Sequence, residues 1–411
     1  GKRRVVITGM GAVTPLGDVG NLWDGLLNGK SGIRHITRFD TEDLDVRIAG
    51  EVDFEPKEHL PPKEARRMSR ASQMALIAAR AARQDSGLTQ EEIKLKGDRV
   101  GVVIGTGNAG FELLVDMSYA YTFKGSKPLP TVFVNGLPYL PGHHVSVEMG
   151  AYGQLMTITT ACASGTQGIG AGVELIRSGK SDLVFAGGVD GMIRKEVVVA
   201  FDSMTALTRE FSDEPQCASR PFDAERAGFV LGEGAGILLL ESLESAETRG
   251  ARIYAEVLGQ AASSDAHHLT APDEDGLGAQ KAMFWALEDA SLAPDEIDYI
   301  NAHGTSTRLN DKIETQAIKQ VFGQRAYQIP VNSTKSMIGH CVGGAGAIEA
   351  IVCVLSLRDG KVHPTINYEN PDPECDLDYV PNEARRVSIK TVLSNSFGFG
   401  GQNACLLIGK I

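Results

Sequence analysis

Short apolar runs alternate with amphipathic stretches along the whole chain. Residues 5–8, 100–104, 156–159, 183–186, 235–240, 299–302 and 405–409 read as strands, several of them nearly continuous in apolar side chains. Such runs suit a sheet covered on both faces. Helical spacing predicts helices over 62–85, 164–177, 276–290, 311–321 and 345–357. Strands and helices in alternation predict an α/β layered fold.

Two segments repeat. Asp85-Ser86-Gly87-Leu88 ends one helix ahead of strand 100–104, and Asp289-Ala290-Ser291-Leu292 ends another ahead of strand 299–302. Ile176-Arg177-Ser178-Gly179-Lys180 is echoed by Leu357-Arg358-Asp359-Gly360-Lys361. Two echoes in the same order predict a duplicated α/β unit. Its halves are expected to be residues 1–250 and 251–411, meeting at Arg249-Gly250-Ala251-Arg252.

Composition narrows the picture. With 411 residues, 42% hydrophobic and 22% charged, the chain reads as globular. A net charge of −12 argues against nucleic acid as a partner. The N-terminal apolar run Val5-Val6-Ile7 is too short for a signal peptide's core, Gly1 reads as a residue left by processing, and no stretch is long enough to cross a membrane. Six unpaired-looking cysteines predict a reducing cytoplasm, no disulfide framework and no zinc site. Five of them are expected to be buried small apolar residues.

The sixth, Cys162, stands apart. Thr160-Ala161-Cys162-Ala163-Ser164-Gly165 joins a strand to an Ala/Gly-rich helix. A helix N-terminus offers unpaired N–H groups and a positive dipole end, which favour a thiolate nucleophile. A buried cysteine at a tight junction is the alternative. Asn301-Ala302-His303-Gly304-Thr305-Ser306-Thr307 follows a strand, where α/β ligand crevices open. His303 could donate to a carbonyl oxygen and Thr305 and Thr307 could hold an amide-bearing ligand; otherwise the segment is a capped turn. Ser333-Thr334-Lys335-Ser336-Met337-Ile338-Gly339-His340 leads into a second small-residue helix and sets His340 in the place that echoes Cys162. Lys335 in this apolar setting requires an anion, with Glu314 or Asp311 as the expected partner. Asn395-Ser396-Phe397-Gly398-Phe399-Gly400-Gly401 exposes backbone N–H groups that could stabilise an oxyanion, or is a plain turn. No dinucleotide-binding glycine fingerprint is complete.

These four motifs together resemble those of the β-ketoacyl-acyl-carrier-protein synthases, most closely the type II elongating condensing enzymes, and the likeness runs over essentially the whole chain. The resemblance implies the thiolase fold, a duplicated unit in five α-β-α-β-α layers. It implies decarboxylative condensation of an acyl group on Cys162 with malonyl-acyl-carrier protein in fatty-acid elongation, with His303 and His340 assisting and Lys335 paired to Glu314. The N–H groups of Cys162 and Phe399 would form the oxyanion hole. Thr270, Thr305 and Thr307 would contact the pantetheine arm, Phe399 would gate the acyl pocket, and Asn108 would lie at its floor. Acyl carrier protein would dock at Lys63, Arg66, Arg67 and Arg209. No cofactor or metal is implied. The expected assembly is a homodimer, with a heterodimer containing a chain-length partner as the alternative.

Three positions depart from the family's habit. Arg308 stands where proline is common, Gln402 where threonine or histidine is frequent, and Asn108 where a bulky aliphatic residue is usual. A polar floor keeps a type II polyketide or polyene ketosynthase open as a second reading. A degradative thiolase would need a second catalytic cysteine in a C-terminal loop, whereas Cys405 falls in the last predicted strand. A non-catalytic chain-length partner would lack the cysteine nucleophile.

Overall fold

Ten strands join into one sheet in the computed structural model, which describes residues 2–411; Gly1 lies outside the described residues. In chain order the strands are β1 (Val5–Val13), β2 (Val100–Gly105), β3 (Leu155–Ile158), β4 (Leu183–Asp190), β5 (Gly234–Ser242), β6 (Ala255–Ser264), β7 (Tyr299–Asn301), β8 (Val331–Asn332), β9 (Thr391–Gly398) and β10 (Gln402–Gly409). From its centre the sheet reads alike in both directions. One arm runs β1-β5-β4-β2-β3 and the other β6-β10-β9-β7-β8. In each arm the two inner pairings are antiparallel and the two outer ones parallel. The arms meet where Val6 faces Glu256 and Ile7 faces Ala255. The same order and polarity twice is what a duplicated unit produces.

Five helices complete the layers: α1 (Arg70–Asp85), α2 (Ser164–Arg177), α3 (Leu277–Ala290), α4 (Arg308–Phe322) and α5 (Ala345–Asp359). α2 and α5 touch strands of both arms and form the central layer. α1 covers the outer face of the first arm, and α3, with α4 beside it, covers that of the second. Position explains composition. α5 is buried from Ala345 to Leu357, so its sequence is apolar all round, whereas α1 and α4 keep a polar face for water. Glycines let the two central helices approach at their N-termini. A Cβ on Gly165 would sit 2.6 Å from the Gly343 carbonyl oxygen, and one on Gly346 would sit 2.0 Å from Thr166 Oγ1.

The structure corrects several expectations. The helix expected over 62–85 is two, Pro62–Ala65 and α1, because Ser69 caps α1 by accepting from the Ser72 N–H. α4 begins at Arg308 rather than 311, since Thr307 Oγ1 accepts from the Asn310 N–H at 3.2 Å. β9 escapes the apolar-run criterion because the buried residues Ser394, Asn395 and Ser396 interrupt it. All six cysteines are free, but Cys217 is only half-buried.

Candidate active site

The central layer's two helices begin in the same way. Ala161 and Val342 both adopt a left-handed φ of 50°, each opens a 3₁₀ turn, and α2 or α5 starts three residues on. The strained first residue turns the chain sharply from strand to helix. Cys162 sits second in its turn, so its counterpart in the other half is Gly343, not His340 as the sequence suggested. His340 lies three residues earlier and reaches the same space from the other side. His303 arrives from the C-terminal end of β7. Cys162 Sγ and the nearest ring nitrogens of the two histidines all fall within 4.8 Å of one another. The imidazoles stand nearly perpendicular, at 85°, with centroids 5.3 Å apart.

Each imidazole is held in one tautomer. His340 Nδ1 accepts from the Val342 N–H at 3.2 Å. His303 Nδ1 lies 3.3 Å from Lys335 Nζ, a group that can only donate. With both Nδ1 atoms accepting, the hydrogen of each neutral ring sits on Nε2. Burial, and then the Lys335 charge, hold both histidines well below their ordinary range; for His303 the neighbouring His340 adds to this. We expect ¹⁵N NMR of histidine-labelled protein to show both rings neutral and protonated at Nε2 from about pH 8 to about pH 6. An Nδ1–H signal, or titration near the free-histidine value, would refute the arrangement. The sign for stability follows. The unfolded chain takes up protons below about pH 6.5 that these rings refuse, so they reduce stability as pH falls.

The partner of Lys335 is neither Glu314 nor Asp311. Lys335 Nζ donates to Glu349 Oε1 at 2.5 Å and to the His303 carbonyl at 2.7 Å. Glu314 instead accepts from the N–H groups of His303 and Gly304, each at 2.8 Å, and from the Asn395 amide at 3.3 Å. It therefore fixes the backbone that carries His303, while burial pushes its carboxyl up to about 7. Asp311 accepts from the Phe222 N–H. Glu349 was readable in principle as a lone carboxylate in the apolar run of α5. Asp190, at the end of β4, carries no sequence motif that marks it. It accepts from the N–H groups of Gly107, Asn108 and Gly343 and from the Thr106 hydroxyl, tying both halves together beneath the site.

Electrostatics revise the picture of a resting thiolate. Burial pushes the Cys162 thiol up to about 11, against the pull of Lys335 and of a hydrogen bond from the Phe399 N–H. The Cys162 N–H also faces the sulfur. Gly398 permits this convergence, since a Cβ there would lie 2.8 Å from the Thr160 carbonyl oxygen and 3.1 Å from the Cys162 nitrogen. The Cys-His-His set has the donor atoms of a three-ligand metal site, but the adjacent Lys335 ammonium opposes a cation.

A cavity of about 460 Å³ runs from Cys162 and the histidines to the surface. Thr270, Thr305, Thr307 and Phe399 line it. So do Phe201 and Phe229, which the sequence did not single out; Phe201 packs against both Phe229 and Phe399. Thr307 thus both caps α4 and faces the cavity. Asn108 does not line it: the side chain is exposed while the backbone N–H is held by Asp190. Gln402 opens β10 opposite Gly398 and also lies off the cavity wall. Lys63, Arg66 and Arg67 are exposed, and no carboxylate is within ion-pair reach of them among the described residues. Arg209 is paired with Asp202 at 2.9 Å and Asp45 at 3.2 Å.

Comparison with known proteins identifies the family. Residues 2–246 match the family described as beta-ketoacyl synthase, N-terminal domain, and residues 254–369 match the corresponding C-terminal domain. The chain is 47% identical to 3-oxoacyl-[acyl-carrier-protein] synthase 2 of Synechocystis sp. over 100% of its length and 98% of the relative's. It is 46% identical to the protein of the same name in Staphylococcus aureus, covering 99% and 98%. Among solved structures, a type II polyketide ketosynthase in complex with its acyl-carrier protein superposes with a TM-score of 0.93 at 36% identity, covering both chains fully. The ishigamide ketosynthase/chain length factor gives 0.92 at 40% identity, also over 100% of both chains. The fold is that of the thiolase-fold condensing enzymes, acyltransferases that form carbon–carbon bonds. The chain belongs to the β-ketoacyl synthase family.

Proposed function

We propose that the protein condenses an acyl group held on Cys162 with malonyl-acyl-carrier protein, releasing carbon dioxide and giving a β-ketoacyl-acyl-carrier protein, in fatty-acid elongation. The observation that carries this is the convergence of one buried sulfur with two imidazoles whose Nδ1 partners leave the ring hydrogen on Nε2. In acylation, Cys162 attacks the acyl thioester and the departing arm takes its proton, so no net charge is buried. A malonyl thioester then places its carbonyl oxygen against the Nε2–H groups of His303 and His340. As the bond to the carboxylate breaks, charge grows on that oxygen and the two donors stabilise it without an external base. The carbanion attacks the acyl-Cys162 carbonyl, whose oxyanion is held by the N–H groups of Cys162 and Phe399. Cys162 leaves as a thiolate and recovers a proton from water.

Residues 1–250 and 251–411 act in this reading as two halves of one catalytic unit, the first supplying the nucleophile and the second the histidines and Lys335. The substrate arm is carried by acyl carrier protein and lies along Thr270, Thr305 and Thr307. Phe399, packed on Phe201, gates the acyl pocket. Lys63, Arg66 and Arg67 receive the acidic carrier, and Arg209 is a weaker member because its charge is already countered. The expected homodimer is supported by the open sheet edge at β3 and by exposed aromatic side chains at Tyr119, Tyr121, Phe123 and Phe133. A chain sedimenting as a monomer would remove that assembly. No helix among the described residues is long and apolar enough to cross a membrane; the free cysteines suit a reducing cytoplasm.

Mass spectrometry of Cys162 after exposure to acyl-carrier thioesters of graded length and oxidation tests this reading. Acylation by saturated chains followed by condensation supports fatty-acid elongation. Exclusive use of oxygenated or polyunsaturated chains would favour the polyketide reading, which the likeness to two ketosynthase structures keeps in view. In the same assay, Arg66→Glu with Arg67→Glu should raise KM for carrier-bound donors by roughly tenfold and spare an acyl-CoA surrogate. Equal loss with both donors removes the docking surface.

A further inference from the structure

The cavity has a chemically uneven wall. Its closed end holds Cys162, His303 and His340, all buried. Among the described residues that line it, Arg308 is the one permanent cation and Asp265 the one carboxylate. Asp265 is engaged, since Oδ1 accepts from the Asn403 amide at 2.7 Å. Arg308 is exposed, and its guanidinium has no hydrogen-bond or carboxylate partner among the described residues.

The backbone beneath it is anchored. Arg226 donates Nη2–H to the Arg308 carbonyl at 2.9 Å and Nε–H to the Thr307 carbonyl at 3.1 Å. Arg226 is itself buried and paired with Asp372 at 2.6 Å. An unpaired cation therefore stands on a fixed platform at the solvent end of the cavity that leads to the nucleophile. The surrounding protein carries net negative charge, so this position differs from the general surface.

We propose that Arg308 binds the phosphodiester at the head of the pantetheine arm and is a specificity-determining residue for phosphorylated thioesters. The inference rests on the condensation reading above. That reading puts an arm in this cavity with its thioester at Cys162 and its single anionic group at the outer end. A guanidinium presents paired N–H donors matched to a phosphate's oxygens, which proline at the same position could not supply. Proline would nonetheless fit the first helical position of α4, so its substitution tests the side chain without disturbing the helix.

The test compares acyl-phosphopantetheine with acyl-pantetheine, identical but for the phosphate, and with acyl-acyl-carrier protein, as acyl donors to the whole protein, with malonyl-acyl-carrier protein as co-substrate. Wild type should prefer the phosphorylated donor by roughly tenfold in kcat/KM, mostly through KM. Arg308→Gln and Arg308→Pro should bring the ratio close to one, and Arg308→Lys should restore part of it. A preference unchanged in all three variants overturns the assignment while the condensation reading stands. An effect confined to carrier-bound donors overturns it too, because the side chain would then contact the carrier protein. Absence of condensation with every donor would remove the reading and the inference together.

Discussion

Cys162→Ala is expected to abolish condensation, by at least about 10³-fold, while leaving malonyl-thioester decarboxylation in place. The separation follows from geometry. The sulfur forms the acyl bond, but charge from the departing carboxylate grows on an oxygen held by Nε2–H groups of His303 and His340. His303→Ala and His340→Ala should behave in the opposite way. Each removes one preorganised donor, a loss of about 10²–10³ in decarboxylation, with Cys162 still open to acylation. Intact-mass measurement of the acylated protein reports the first half-reaction, and carbon dioxide release from malonyl-acyl-carrier protein reports the second. Equal loss of both half-reactions in Cys162→Ala would sink this division of labour. The raised pKa of the thiol adds a corollary: alkylation of free enzyme should quicken as pH rises towards about 11, without a plateau near neutrality.

The central layer explains what the sequence could and could not disclose. α2 was legible to its last residue because its ends are set locally, by the turn at Ala161–Ala163 and by Ser178-Gly179. The same turn before α5 was hidden, since its second residue is glycine and carries no chemistry. Motif spacing alone therefore aligned Cys162 with the wrong residue. β9 was missed because its middle residues are polar groups serving buried partners, as Asn395 serves Glu314. Pair assignments were the least accessible. Asp311, Glu314 and Glu349 are all buried carboxylates on helices, and only the packing of α5 across the layer decides that Glu349 receives the ammonium. Asn108 illustrates the same limit, because a position in a sequence pattern does not say which face of the loop its side chain takes.

Lys335→Met should be the most destabilising single change at the site, costing about 3–5 kcal/mol, because it strands a buried carboxylate. Glu349 has no alternative: its second oxygen lacks a hydrogen-bond partner, and burial already pushes the carboxyl up to about 7 despite the ammonium beside it. Without Lys335 the group must take a proton or draw in water. Removing the carboxylate as well changes the balance. Lys335→Met with Glu349→Met exchanges a buried ion pair for apolar side chains of similar length, a replacement that is often neutral or better. Denaturant unfolding should therefore place the double variant within about 1 kcal/mol of wild type. Activity should not return with stability, since Lys335 also holds the His303 carbonyl and directs the ring's hydrogen to Nε2. The decarboxylation rate of the refolded double variant is the deciding measurement. Recovery of that rate would show that Lys335 serves only to neutralise Glu349, and the tautomer argument would fall. Stable but inactive protein would separate the two duties of one ammonium group: balancing charge towards α5 and orienting an imidazole towards the cavity.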